Sequence, residues 1–279
     1  MKVLILGAKG MLGQELVKTY EDHDVVAWDR EECDVLDADA CDAKIREMAP
    51  DVLLNAIGYN AVDLAEGDGK DMANRINGEV PGRLAQLAND LDIPFVHYGT
   101  EYVVDGENEK GYAEDAVMNP LSVYGRSKLD GENAVAAVGG KGYVIRLSRL
   151  FGKPATSDAG KKSFIDVMLG LAQTKDHLDL VDEEESSPTY APDLAKRTRE
   201  IVEAHPPGLY HAANSGSCTW YGFAKEIFKQ KGVTIDITPV SGKMFPRPAK
   251  RPMHCVLLNT KLPRMRLWTE ALEEYLKTI

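Results

Sequence analysis

Short apolar runs alternate with amphipathic stretches through the first half of the chain. Val3-Leu4-Ile5-Leu6 is a continuous apolar run that stops at Gly7, the pattern of a parallel strand buried on both faces. Met11, Leu12, Glu15, Leu16 and Lys18 then follow helical spacing, and Val25 to Trp28 reads as a second strand ending at Asp29. This is one βαβ unit. The pattern recurs: strand Val52 to Asn55, helix Val80 to Asn89, strand Phe95 to Tyr98, helix Ser122 to Ala137, strand Tyr143 to Arg146. Strands alternating with helices predict an α/β fold with a doubly wound parallel sheet. Beyond Gly152 the reading is less regular. Helices are expected at Ser163 to Gln173, Trp220 to Lys231 and Thr269 to Lys277, strands at Leu178 to Val181 and Gly208 to Ala212, and a loop running into a helix from Pro188 to Glu203. Pro239 to Pro252, with four prolines and four basic residues, is expected to be neither helix nor strand. With no internal repeat and no low-complexity linker, a second, smaller α/β lobe is built from returns of the chain.

Charge narrows the function classes. Among 279 residues, 33 Lys+Arg face 44 Asp+Glu, a net charge of −11 with no basic cluster large enough for a phosphate backbone. Neither a nucleic acid nor a membrane is therefore the expected partner. Cys33, Cys41, Cys218 and Cys255 show no metal-ligand spacing, and a core this large needs no disulfides. A reducing, cytoplasmic setting is expected, and the run Val3 to Leu6 is too short for a signal-peptide core or a bilayer span.

Gly7-Ala8-Lys9-Gly10-Met11-Leu12-Gly13 places three glycines between the first strand and the first helix. A backbone that must turn tightly, approach a pyrophosphate and pack helix on sheet needs glycine at such positions, and the helix N-terminus favours the anion. Asp29, nineteen residues beyond Gly10 at the end of the second strand, is placed to accept hydrogen bonds from a ribose. Its neighbour Arg30 can pair with a 2′-phosphate that Asp29 repels, so NADPH and NADH both stay open. The expected division is residues 1–150 with 188–213 as an NAD(P)-binding Rossmann domain, and 151–187 with 214–279 as a substrate-binding lobe.

Tyr124 and Lys128 form a YxxxK pair on one helix face. A phenol is a poor acid at neutral pH, and a neighbouring cation stabilises its phenolate. Thr100, just after the strand Phe95 to Tyr98, is expected at the carboxyl edge of the sheet, where its hydroxyl can hold a reacting carbonyl.

Glycine turn, edge hydroxyl and YxxxK, in this order, resemble an extended short-chain dehydrogenase/reductase. The resemblance is to the dTDP-4-dehydrorhamnose reductase family, and it runs the length of the chain. It is carried by Gly7 to Gly13, Asn55-Ala56 with 61–66, Thr100 to Val103 with Asp105-Gly106, 123–132, Ser187 to Ala191, Tyr210-His211 with Asn214 to Gly216, and Pro246 to Pro252 as PRPAKRP. The resemblance implies that Thr100, Tyr124 and Lys128 are catalytic. NADPH or NADH would deliver hydride to the C4 carbonyl of a nucleotide-sugar, Tyr124 would protonate the oxyanion, and Lys128 would lower the Tyr124 pKa and bind the nicotinamide ribose. Asn55, Ala56 and Tyr59 would line the cofactor, with Asp34 and Val35 flanking the adenine. Arg247, Lys250 and Arg251, in a proline-stiffened segment, would hold the substrate diphosphate. Asn77, a polar residue among Met72, Ile76 and Val80, is read as structural, and Trp220 and Tyr221 as packing residues of the second lobe.

The chain also departs from its family. Where relatives usually read Ser-Thr-Asp-Tyr-Val-Phe it has Gly99-Thr100-Glu101-Tyr102-Val103-Val104; Arg149 stands for a usual Trp; Glu184 and Ser186, beside the acidic run Asp182 to Glu185, stand for a usual Gln and Gly. Glu101, Tyr102 and Arg149 fall where the sugar is expected. An intact Tyr-Lys pair beside an altered pocket leaves three readings: reduction of dTDP-4-dehydro-L-rhamnose, reduction of a different nucleotide-sugar, or a non-enzymatic dinucleotide-binding subunit resembling the regulatory subunit of methionine adenosyltransferase. An epimerase or dehydratase of the same superfamily disagrees with the C-terminal motifs. A monomer or homodimer is expected, without a metal.

Overall fold

The computed structural model describes residues 1–157 and 163–279. The main sheet is built from β1 (Lys2–Leu6), β2 (Asp24–Trp28), β3 (Val52–Asn55), β4 (Phe95–Thr100), β5 (Gly142–Leu147) and, after a long excursion, Gly208–His211. All neighbouring pairs are parallel. The spatial order is β2-β1-β3-β4-β5 with Gly208–His211 last. The chain leaves β1 in one direction for β2 and returns on the other side as β3, so the crevice beyond the carboxyl ends of β1 and β3 is the topological switch point. The helices of this half are α1 (Met11–Thr19), α2 (Ala38–Met48), α3 (Lys70–Ala73), which runs through a π-helical turn at Asn74–Glu79 into α4 (Val80–Asp90), and α5 (Val123–Val138).

Strand alternation divides the core. Val3 and Ile5 pack on one face of the sheet with Leu16 of α1 and Tyr20 just after it, while Leu4 and Leu6 pack on the other with Ile45 of α2 and Leu84 and Leu87 of α4. Each such side chain, fully buried, contributes roughly 1.5–3 kcal/mol.

The excursion forms β6 (Leu150–Phe151), α6 (Phe164–Ala172), β7 (His177–Val181), β8 (Thr189–Tyr190) and α7 (Ala191–Ala204), which leads back to the sheet strand Gly208–His211, now β9. The chain ends through α8 (Trp220–Lys231), β10 (Asp236–Val240) and α9 (Trp268–Leu276). A third apolar cluster joins α6, α8 and α9 through Phe151, Ile165, Phe223, Ile227, Leu272 and Tyr275. β6 pairs with β8, and β7 with β10. Among the described residues no helix is long and apolar enough to cross a membrane.

The structure corrects the sequence reading in two places. Pro239 and Val240 lie in a strand, with Pro239 opposite Leu180. A two-stranded sheet has only edges, where a proline's missing N–H costs no ladder bond. The helix α2 carried no sequence expectation, because only Cys41 and Ile45 of its eleven residues are buried and so sparse a stripe gives no clear period. Asp37 starts it by accepting the Ala40 N–H.

Candidate functional site

The loop after β1 has the shape its glycines imply. Gly7 sits at φ +78°, and a Cβ on Gly13 would stand 2.1 Å from the Gly7 carbonyl oxygen, so only glycine lets α1 begin this close to the strand. Gly10, at the N-cap, has no side chain to occupy the amides of Met11, Leu12 and Gly13, which leaves the positive helix end for a phosphate. Asp29 ties this loop to the end of β2, its carboxylate accepting the Lys9 N–H at 3.0 Å and the Arg30 N–H at 2.9 Å. Arg30 is 80% exposed and lies 3.4 Å from Asp34. Val35 is buried among Trp28, Cys33 and Leu84, so its side chain serves the core and leaves Asp34 to face the rim. These residues fit a dinucleotide: a glycine cradle that any Cβ would fill, an open helix start and an acidic group at the second strand.

The loop after β3 is held from two sides. Asn55 is buried; its amide approaches His97 Nδ1 at 3.3 Å and its carbonyl accepts the Ile57 N–H at 3.2 Å. Ala56, half-buried, follows. Tyr59 has both backbone groups taken by Asn77, which accepts its N–H at 2.9 Å and donates to its carbonyl at 3.0 Å; Asn77 also reaches the Ser127 hydroxyl at 3.2 Å. Asn77 is therefore structural, as expected, and the structure adds where: it sits in the π-helical turn and fastens the Tyr59 loop to the helix that carries Tyr124 and Lys128. A Cβ on Gly131 of that helix would lie 2.0 Å from the Asn77 carbonyl oxygen, so glycine permits the close packing.

Thr100 is the last residue of β4, and α5 starts over it, capped by Ser122 accepting the Gly125 N–H at 3.1 Å. Tyr124 packs edge-on to Tyr102 with centroids 5.5 Å apart. Burial pushes the Tyr124 phenol well above its ordinary range and the Glu101 carboxylate adds to this, while a hydrogen bond with Thr100 opposes both. Burial likewise raises Glu101, against the Thr100 hydroxyl that donates to it at 2.9 Å. Burial lowers Lys128 to about 8, with Glu132 one turn later opposing. The expectation that Lys128 lowers the Tyr124 pKa needs correction for this state: the ammonium donates to the Tyr98 carbonyl at 2.5 Å and is turned to the strand. Shared helix-face spacing brings the two residues side by side without deciding which acceptor the flexible lysine takes. The glycine at 99 also has a cause, since a Cβ there would meet Glu132 Oε1 at 2.1 Å. Glu132 is held at 2.9 and 2.7 Å by Arg146, and both are 4% exposed.

Next to Thr100 a cavity of about 140 Å³ is walled by Glu101, Tyr102, Arg149, Glu184, Ser186 and Trp220. Trp220 is thus more than the packing residue expected of it: one side of the indole meets Phe164 at 4.6 Å, and the Arg149 guanidinium lies 4.0 Å from its ring. Arg149 spends its donors on backbone, giving hydrogen bonds to the Cys218 carbonyl at 2.8 Å and the Glu184 carbonyl at 2.5 Å. It ties two loops together. The basic segment also differs from its expectation as a set of presented cations. Arg247 is paired with Glu184, Arg251 with Asp63 at 2.9 Å, and Lys250 is exposed. Trp220 was legible only as a packing residue at a helix start; Glu184 was legible as a departure from a usual Gln, without its partners. A larger open groove of about 1050 Å³, lined by Glu15, Lys18, Lys196 and Glu274 among others, shares no residue with this chemistry.

Comparison with known proteins agrees with this geometry. The family model described as the RmlD substrate binding domain matches residues 1–279. The chain is 36% identical to a probable dTDP-4,6-dihydroxy-2-methyloxan-3-one 4-ketoreductase of Streptomyces antibioticus, covering 98% of this chain and 94% of that one. Among solved structures, a dTDP-4-dehydrorhamnose reductase from Clostridium acetobutylicum superposes with a TM-score of 0.94 at 35% identity, over 100% of this chain and 99% of that one. The dTDP-4-dehydrorhamnose reductase of Bacillus anthracis, solved in complex with NADP, gives 0.93 at 28% identity over the same shares. With a full-length family match and the glycine loop, Thr100 and the Tyr124-Lys128 pair assembled at one sheet edge, this chain belongs to the RmlD family, that of the dTDP-4-dehydrorhamnose reductases.

Proposed function

We propose that the protein is an NAD(P)H-dependent reductase of a nucleotide-sugar 4-ketone, with dTDP-4-dehydro-L-rhamnose as the substrate and dTDP-L-rhamnose as the product. The observation that carries this reading is the burial of Thr100 at the end of β4 together with Tyr124 and Lys128, one helical turn apart on α5, next to the sugar-sized cavity walled by Glu101 and Tyr102. The glycine loop with Met11 and Leu12, and the Asn55, Ala56 and Tyr59 loop, would hold the cofactor; a bound reduced nicotinamide supplies the hydride. Tyr124 supplies the proton. A phenol held above its ordinary range is kept protonated, and so keeps the proton available, until charge develops on the substrate oxygen. Thr100 would release Glu101 and turn its hydroxyl to that oxygen, fixing the ketone in line. Lys128 would stabilise the phenolate left behind and hold the ribose.

Arg247, Lys250 and Arg251 would hold the diphosphate, and Glu101, Tyr102 and Arg149 would shape the sugar site. The division into a cofactor domain (1–150, 188–213) and a substrate lobe (151–187, 214–279) follows the separate apolar cluster under α6, α8 and α9. A cytoplasmic monomer or homodimer suits a chain of net charge −11 acting on a charged small molecule. A second reading, reduction of a different dTDP-sugar, is favoured by Arg149 and Glu184 in the cavity wall and by the relative named for another 4-ketone. The deciding experiment follows the absorbance of NADPH and of NADH with freshly generated dTDP-4-dehydro-L-rhamnose. Rapid oxidation supports the first reading. Absence of oxidation by an enzyme that binds the dinucleotide rejects it and leaves the other sugar ketones to be tried.

A further inference from the structure

The acidic run Asp182 to Glu185 acts as a clasp. Each carboxylate grips a segment arriving from elsewhere in the chain: Asp182 takes the Thr219 hydroxyl, Glu183 the Ser241 hydroxyl at 2.9 Å and the Gly242 N–H at 2.8 Å, and Glu185 the Ser217 hydroxyl at 2.6 Å. Glu184 differs from the other three because it lines the cavity itself and holds both a cavity wall, Trp220, and Arg247 of the basic segment. It accepts from the Trp220 indole at 3.1 Å and from both terminal nitrogens of Arg247, the farther at 3.4 Å. The Glu184 side chain is 7% exposed and that of Arg247 28%, so water screens this pair poorly. The carboxylate is also firmly placed, because Arg149 holds its backbone carbonyl while lying against the Trp220 ring.

We propose that Glu184 is a specificity-determining residue that competes for Arg247, so that a nucleotide-sugar binds by exchanging its diphosphate for this carboxylate on the guanidinium. The inference rests on the proposed role of Arg247 as a diphosphate ligand. Its chemistry is competitive: two anions seek one bidentate donor, and a ligand bearing the diphosphate displaces the carboxylate more readily than one with a single, less charged phosphate. The departure from a glutamine, which would keep an acceptor for the indole N–H while carrying no charge, is thereby given a consequence. Affinity for the nucleotide part is lower than the cationic segment alone would provide, and discrimination against nucleotides with a single phosphate is higher.

The test is calorimetric titration of dTDP and dTMP into the wild type, Glu184→Gln and Glu183→Gln. Exchange predicts that E184Q binds dTDP about tenfold more tightly, with a steeper salt dependence, and narrows the dTDP over dTMP ratio, while its NADPH affinity stays at the wild-type value. E183Q removes a clasp carboxylate that does not touch Arg247 and should leave dTDP affinity unchanged. Equal or weaker dTDP binding by E184Q would overturn the proposal, as would equal tightening by E183Q, which would mark a general charge effect. If E184Q melts early, Glu184→Asp keeps the charge but shortens the reach, and exchange predicts the same direction at smaller amplitude. A wild type that binds dTDP but leaves dTDP-4-dehydro-L-rhamnose unreduced would sink the reaction and spare the exchange. Failure of both wild type and E184Q to bind dTDP would sink the exchange.

Discussion

The two ends of the site are made of different material. At the cofactor end, the fit comes from backbone: a left-handed Gly7, a Gly13 with no room for a Cβ, and the uncapped amides that open α1. At the substrate end it comes from paired side chains carried by distant segments, Arg247 on Glu184, Arg251 on Asp63, and Arg149 across the Trp220 ring. A backbone cradle is fixed by local sterics and has one shape. A cradle of ion pairs can be retuned one residue at a time, and the family departures Arg149 and Glu184 lie in that second kind of material.

Tyr124 stands between the two ends, and its loss should give the largest effect. Tyr124→Phe keeps the ring packed on Tyr102 and removes only the hydroxyl proposed as the proton donor. Turnover is expected to fall about a thousandfold with the NADPH Kd unmoved. A parallel loss of NADPH affinity would show that the hydroxyl holds the cofactor end together and is no proton donor.

Gly13→Val attacks the cofactor end alone. Its Cβ would lie 2.1 Å from the Gly7 oxygen and 2.7 Å from Ala8 Cα, so α1 must lift from β1. The expected cost is about 1–3 kcal/mol of stability together with loss of NADPH binding, while dTDP binding measured on the folded fraction persists. Loss of both ligands together would break the distinction between the two ends.

Acid should weaken the buried side-chain network between β5 and β9 at the carboxyl edge of the main sheet. His211 accepts from Arg146 at 3.4 Å through Nε2 and faces the Leu258 carbonyl at 2.9 Å through Nδ1; burial first, then the Arg146 charge, lowers it to about 4, with Glu114 opposing and Lys261 adding. The unfolded chain, with histidine near 6.5, takes up the proton first as pH falls. This contribution is therefore whole above about pH 6.5 and shrinks toward pH 4, roughly 2 kcal/mol being lost between pH 7 and 5. Urea unfolding at the two pH values, in the wild type and in His211→Gln, measures it. Equal losses in both proteins would assign the acid sensitivity to other groups, the buried His97 first, since burial holds it too well below its ordinary value.

What could be read from the sequence follows the same divide. The glycine loop, Asp29, the YxxxK pair and the edge threonine are local patterns, and each lies at the element boundary its spacing implies; α5 runs Val123–Val138 with Ser122 as its cap. The partners of Arg247 and Arg251 were not legible, because Glu184 and Asp63 are 63 and 188 residues away from them in the chain. The placement of Asn77 was hidden for a related reason: its partners, Tyr59 and Ser127, are 18 and 50 residues off. Helix α2 escaped because two buried residues in eleven are too few to set a period. Trp220 was visible as an aromatic at a helix start, but only the arrival of Arg149 on its face makes it a wall of the cavity.

The smallest expected effect concerns Arg30, the exposed side chain proposed to meet a cofactor 2′-phosphate. Arg30 is 80% exposed and only 3.4 Å from Asp34, so any pairing with a 2′-phosphate is well screened by water and salt. Its neighbour Lys9 is drawn to Glu31 at 2.9 Å, and Asp29, beside the ribose position, repels a phosphate while accepting from a hydroxyl. Arg30→Ala should therefore lower the NADPH over NADH ratio of kcat/KM by only about threefold, lose that effect in high salt, and leave the KM of the sugar nucleotide alone. A change of a hundredfold would mean that Arg30 is pulled out of solvent by the cofactor and that this end, too, is tuned by side chains. No change at all would place the choice of nicotinamide cofactor with Asp29.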